Sequence, residues 1–230
     1  MDVRTMQRNE TGSRRQYVYN YLYQNIIGLS LQPGSALSEN EIAKQLNVSR
    51  TPVREAMIQL AKQDLVEIVP QIGSFVSLIN PALVEESRSM RETLEIANIK
   101  EAAEKITAGT LLELETSIKN QKMIIKEGNY REFLTYDDAF HELIFKCLGK
   151  ERTWQAIDQM NSQFKRVRIL RLLTTPTTDW VEIMIEHEGL YLALKDCDAC
   201  LAQKLMKEHL TKAIIHLDDL KAKHPDFFKN

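Results

Sequence analysis

Apolar residues recur at helical spacing along most of the chain. In residues 14–29 (RRQYVYNYLYQNIIGL), Val18, Leu22, Ile26 and Leu29 fall on one helical face. Pro33-Gly34 marks a turn, and Ser38-Glu39-Asn40-Glu41 reads as a capping box that opens a short helix from Glu39 to Leu46. Asn47-Val48-Ser49 leaves room only for a tight turn. The next helix is expected with Thr51 as its N-cap, Pro52 in its first position, and an apolar face of Val53, Ala56, Met57, Leu60 and Ala61. After Asp64 the period shortens to two. Leu65 to Val69 is short and β-branched, Pro70-Gln71-Ile72-Gly73 is a turn, and Ser74 to Leu78 is a second strand with Phe75 and Ser77 on one face. Two short helices joined by a three-residue turn and followed by a hairpin predict a winged helix-turn-helix over residues 12–79.

Asn80-Pro81 is the expected linker, because the residue before proline is pushed out of the helical region. Beyond it only helical periodicity is found. Helices are predicted near 82–108, 111–127, 129–147, 151–173, 179–195 and 198–223, separated by breaks such as Gly128 and Leu148-Gly149-Lys150. The expected fold is therefore mostly α: an N-terminal winged helix-turn-helix, then an all-α six-helix antiparallel bundle over 83–226. Such bundles build ligand sites from side chains on facing helices.

Composition supports a folded protein, with 43% hydrophobic and 27% charged residues. The longest apolar runs are far below the roughly 18 residues a membrane span needs. The polar start MDVRTMQRNETGSRRQ lacks the apolar stretch of a secretory signal, and three Cys give no disulfide framework. A cytoplasmic protein without membrane partners is expected. Cys197-Asp198-Ala199-Cys200 is a single C-x-x-C, read as two small residues at a helix start, with redox sensing as the alternative.

The net charge of −2 argues against a protein that coats nucleic acid by charge alone. DNA affinity must come from a few placed groups. Ser49-Arg50-Thr51-Pro52-Val53-Arg54 supplies them at a helix N-terminus, where free N–H groups suit a phosphate. Arg50 and Arg54 are four apart and share a face that can reach guanine edges or phosphates, and Ser49 and Thr51 add hydroxyls. An ordinary helix hairpin with two solvated arginines is the bland alternative. The whole order of capping box, turn, Arg-bearing helix start and Gly-tipped hairpin favours DNA binding.

The stretch YDDAFH places Asp137 and His141 four apart on one helix, about 6 Å of rise, close enough to share one metal. His187 and His209 are each mid-helix. Three imidazoles and one carboxylate from three helices suit a zinc- or nickel-type site with open positions. The competing reading is packed or surface histidines. His216, seven residues after His209, is a candidate neighbour or supporting group.

The segment LSENEIAKQLNVSRTPVREAMIQLAKQDLVEIVPQIGSFV resembles the winged helix-turn-helix of GntR-family transcription regulators. The resemblance implies major-groove reading by Arg50, Thr51 and Arg54, with the wing near Gly73 in the minor groove. Many members carry a basic residue between the wing's Pro and Gly, where this chain has Gln71-Ile72. D-x-x-F-H, then E-H, then a late H is similar to the FCD effector domain of the FadR-like branch. That resemblance implies a divalent metal held by Asp137, His141, His187 and His209. Arg91 occupies the place of the family's R-x-x-L-E pattern and is a candidate clamp for a carboxylate effector, and Asn161 and Arg168 are further candidates to line the pocket. Arg91–Glu95 as a helix-surface pair is the alternative for the first.

The expected function is a ligand-responsive regulator, a repressor by family habit, bound as a homodimer to palindromic operator DNA. Two alternatives remain: the same DNA-binding role with a purely structural metal, or a metal-dependent hydrolase. His141-Glu142 starts like the zincin motif, but Phe145 stands where its second histidine belongs. No other catalytic fingerprint appears, so no enzyme is expected.

Overall fold

The structure is a computed structural model that describes residues 13–213 and 216–229. Its chain divides into two compact units between Ser77 and Leu78. The expected boundary at residue 12 lies outside the described residues.

In the first unit, α1 (Arg14–Ile27) is capped by Ser13, whose hydroxyl accepts from the Gln16 N–H. Leu29 has left the helix, at φ 56°, yet stays buried. Helix α2 (Glu39–Leu46) has the expected bounds, and the Ser38 hydroxyl accepts from the Glu41 N–H at 3.3 Å. Asn47 ends it at φ 52°, a left-handed position that asparagine tolerates. Helix α3 (Arg50–Ala61) starts two residues earlier than expected. Its N-cap is Ser49, not Thr51, so Pro52 falls at the third helical position. Its missing N–H costs nothing there, because the first four N–H groups of a helix have no internal partner. Val18, Leu22 and Ile26 of α1 pack with Val53, Ala56, Met57 and Leu60 of α3 in one core.

Strands β2 (Val66–Val69) and β3 (Gly73–Val76) pair antiparallel, from Val66↔Val76 to Val69↔Gly73. The tip is closed by the Ile72 N–H donating to the Val69 carbonyl at 3.1 Å. Pro70 precedes Gln71 at φ 64°, a position a non-glycine residue rarely takes, and Gly73 follows at φ 151°. A third strand, β1 (Ala36–Leu37), joins the far edge of β3 and was not expected. Sheet order is β1-β3-β2.

The second unit is all helical apart from one backbone bridge, Ile79 to Phe228. Asn80-Pro81 is a helix start and not a linker. Asn80 caps α4 (Pro81–Lys105) by accepting from the Ala82 N–H, with proline at the first position that favours it. Then follow α5 (Ala108–Glu127), α6 (Tyr130–Lys146), α7 (Glu151–Met160), α8 (Ser162–Thr174), α9 (Thr177–Lys195), α10 (Ala199–Lys212) and α11 (Leu217–Lys223). Two of the six expected helices are thus each divided. The 151–173 helix breaks at Asn161, and the 198–223 helix breaks after Lys212, where residues 214–215 lie outside the description.

Helix α4 packs on α10, and α5 on α6 and α9. Fully buried Ala102, Ala103 and Ala202 let α4 and α10 approach closely. Helix α8 packs against α4, α6, α7, α9 and α11, so Ser162 to Leu172 are all buried, including Lys165, Arg166, Arg168 and Arg171. Four cationic side chains on a central helix require buried partners.

Replacing Ser38 with alanine removes the α2 cap and is expected to cost about 1 kcal/mol. Urea unfolding followed by tyrosine near-UV dichroism is weighted toward the first unit, which holds four of the seven tyrosines, Tyr17, Tyr19, Tyr21 and Tyr23. Both tryptophans, Trp154 and Trp180, lie in the second and should show an unchanged transition. An unchanged tyrosine transition would contradict the capping role.

Candidate metal centre

Asp137 and His141 face inward from α6, His187 from α9 and His209 from α10, and all four are buried. One ligand atom from each lies within 4.8 Å of all the others. The Nε2 atoms of His141 and His209 are 3.2 Å apart. Asp137 Oδ2 is 3.9 Å from His141 Nε2, and its Oδ1 is 3.8 Å from His187 Nε2. Phe140 stacks on the His187 ring at 4.3 Å and 14°, which fixes that ring.

Each imidazole offers its other nitrogen to a separate acceptor. His187 Nδ1 meets Gln121 Oε1 at 2.8 Å, and the Gln121 amide is oriented by its own N–H₂ donating to the Tyr136 carbonyl. His209 Nδ1 meets Glu186 Oε2 at 2.8 Å. His141 Nδ1 stands 2.5 Å from Glu95 Oε2, a charge-assisted contact without ideal hydrogen-bond alignment. All three partners only accept at these atoms, so the proton of each ring belongs on Nδ1 and the Nε2 lone pairs are bare. Burial lowers the pKa of His141 and lowers that of His187 further, which keeps both rings neutral.

Bare lone pairs facing one another repel, and His187 Nε2 has no hydrogen-bond partner among the described residues. A cation resolves both conditions. Two imidazole nitrogens held ~2.0–2.1 Å from one tetrahedral zinc stand ~3.3 Å apart, close to the separation of His141 and His209. Gln121, Glu95 and Glu186 are placed as the outer partners that would orient the imidazoles toward such an ion. The four residues fit a divalent ion.

Charge balance extends outward from the cluster. Burial opposes the Asp137 charge, but the Arg168 guanidinium beside it holds its pKa below the ordinary carboxylate value. Arg168 contacts Asp137 and also donates to Asp138 at 2.8 Å, and Lys165 lies 3.1 Å from Asp138. Burial likewise opposes the Glu95 charge, yet Arg91 and His141 hold its pKa at about 2. Arg91 and Glu95 are each 1% exposed, so they form a buried pair and not a surface one.

In the first unit, Ser49, Arg50, Thr51, Arg54 and Gly73 are all exposed. Arg50 pairs with Glu39 of α2 at 3.1 Å but is 67% exposed.

Residues 14–76 match the gntR family of bacterial regulatory proteins, and residues 86–212 match the FCD domain. The chain belongs to the GntR family. It is a DNA-binding transcriptional regulator whose helical unit carries an FCD domain. The HTH-type transcriptional repressor RspR of Escherichia coli is 30% identical, covering 99% of this chain and 99% of that protein. An uncharacterised HTH-type regulator from an unstable DNA locus of Streptomyces ambofaciens is 32% identical, covering 94% of this chain and 90% of its own length. The gluconate operon transcriptional repressor of Bacillus subtilis is 27% identical, covering 91% and 86%. Among solved structures, E. coli McbR/YncC shares the fold at a TM-score of 0.77 and 21% identity, covering 93% of this chain and 99% of that one. These relatives are regulators and not enzymes. Consistent with that, Phe145 is buried against Trp154, with ring centroids 5.5 Å apart. Among the described residues no helix is long and apolar enough to cross a membrane.

The FCD unit contains a cavity that opens to solvent. Asp137 and His209 belong to both its wall and the cluster. Arg91 and Arg168 also line it, with Arg171 and Lys212, which the sequence reading did not single out. Asn161 is buried at the α7–α8 break and is not among the cavity's lining residues. His216 does not continue the face of His209, because α10 ends at Lys212. It is part-exposed and lies 3.7 Å from Asp219. Cys197 and Cys200 are exposed free thiols.

His141 and His187 have folded pKa values below 6.5, so the unfolded chain binds more protons in the window just below 6.5. Their contribution to stability is full above that value and is lost as pH falls beneath it. Chelator-treated protein is expected to melt at progressively lower temperature as pH drops through 6.5. A melting temperature flat across that window would contradict neutral burial of these rings.

Proposed function

We propose that this regulator is a ligand-responsive repressor whose FCD unit binds a divalent metal, zinc or nickel by its donor set, and a small organic acid. The observation that carries this reading is the convergence of three imidazoles and a carboxylate in a buried cluster, two of whose members, Asp137 and His209, also form part of the wall of a cavity that Arg91, Arg168, Arg171 and Lys212 line. A nitrogen-rich, oxygen-poor set suits zinc or nickel over magnesium or calcium. An acid entering the cavity meets the ion and guanidinium groups together. A purely structural metal would have little use for Asp137 and His209 in a cavity wall. Two relatives bear the word repressor in their names, which supports that mode.

On the DNA side, Arg50, Thr51 and Arg54 would enter the major groove with Ser49 at the helix start, and the wing tip at Gly73 would meet the minor groove. Glu39 is released from Arg50 at little cost, since exposed ion pairs are weak. One winged module covers about 600–1,000 Å² of contact. A homodimer on a palindromic operator, joined through the helical units, supplies the rest.

Fluorescence anisotropy on a DNA fragment selected by the wild-type protein tests this reading. Arg54→Ala is expected to lose about 1–3 kcal/mol per base contact, doubled in a dimer, while Trp fluorescence shows the helical unit intact. Adding carboxylic acids to the metal-loaded wild type is expected to change operator affinity. Full operator affinity in Arg54→Ala would sink the recognition-helix assignment, and indifference to every acid would sink ligand response.

A further inference from the structure

Two guanidinium groups line the cavity with N–H donors that meet no acceptor among the described residues. Arg91, 1% exposed, holds Glu95 through Nε at 2.5 Å, but its Nη2 has no partner. Arg171 is 8% exposed. It donates Nη1 to the Lys212 carbonyl at 3.1 Å, its Nη2 is 3.9 Å from the Asp179 carboxylate, and its Nε has no partner. An arginine cannot discharge by losing its proton, so each unmet donor is also a positive charge in a place largely closed to water.

The two donors are separated along one wall. The Arg91 guanidinium lies 5.6 Å from the Phe164 ring on α8, and Arg168 lies 5.6 Å from the same ring. Arg171 is seven residues past Phe164 on that helix, about 10 Å along its axis. Arg168 stands between them, already engaged by Asp137 and Asp138. Its other neighbours in the cavity are similarly committed: Glu186 to His209 and Lys212, and Asp137 to Arg168. Glu182 also lines the cavity but is exposed to solvent, so the unmet buried capacity is cationic and placed at two points.

We propose that the effector is a short dicarboxylate, one carboxylate taken by Arg91 and the other by Arg171, with the metal cluster at the wall between. This rests on the reading of the cavity as an acid-binding site and narrows its ligand class. A monocarboxylate satisfies only one of the two guanidinium groups. The side of the cavity near Arg91 carries its own reporter, because the same guanidinium lies 5.6 Å from the Trp154 ring.

The test uses the full chain loaded with zinc, and separately with nickel, titrated with succinate, glutarate and adipate against butyrate and lactate. Trp fluorescence and melting temperature are the readouts. At least one dicarboxylate is expected to bind about tenfold or more tighter than either monocarboxylate, as a second charged hydrogen-bonding contact implies. Arg171→Gln should remove most of that preference, and Arg171→Lys should restore part of it. The wild-type comparison stands by itself should a variant fail to fold. Equal affinity for both classes overturns the dicarboxylate assignment and leaves the acid-binding reading in place. No response to any acid with metal bound overturns both. A preference that survives Arg171→Gln removes Arg171 from the site.

Discussion

Three imidazoles turn their Nδ1 atoms outward, toward Glu95, Gln121 and Glu186, and their Nε2 atoms inward, toward one another and a carboxylate. That arrangement constrains much of the helical unit. It requires α4, α5 and α10 to deliver one side chain each and α6 and α9 two each to a common point, because the ligands come from three of these helices and their supports from three. Lone pairs in mutual contact are unfavourable in an apolar interior. A positive charge at the centre of the cluster would relieve that repulsion.

The outer supports link this centre to the cavity. Glu95 touches His141 with one oxygen and Arg91 with the other, and Arg91 is part of the cavity wall. Glu186 joins His209 to Lys212 in the same way. A group that pulls on Arg91 or Lys212 therefore acts on an imidazole through one intervening carboxylate. Such couplings would let a bound acid and a metal influence each other's affinity without direct contact. The cost of burying Lys165, Arg168 and Asp138 on the central helices is offset by their mutual pairing.

Much of the fold was legible because strong local signals agreed. Ser38, Glu41 and Asn47 mark both ends of α2, and the 3.6-residue period marks its inner face. Strand β1 was not legible, since two residues carry no period. The start of α3 was misplaced because proline is tolerated at the third helical position as well as the first. The break at Asn161 lacks Gly or Pro, and tertiary packing of α8 decides it. The four cluster residues were legible from spacing joined to family resemblance. Their supports were not, because Glu95, Gln121 and Glu186 look like ordinary helix-surface residues until the helices assemble. The local signal that existed was adjacency: Glu186 precedes His187, and Glu95 closes the R-x-x-L-E stretch.

The central claim is that the His/Asp cluster holds a divalent ion. Elemental analysis of tag-free protein, wild type and His187→Ala, with melting curves before and after chelation, tests it most directly. The account predicts about one divalent ion per chain in the wild type, a melting temperature that falls on chelation and recovers with Zn²⁺ or Ni²⁺, and severe loss of metal in the variant. Wild-type protein with no stoichiometric metal and no gain in melting temperature from either ion would contradict it.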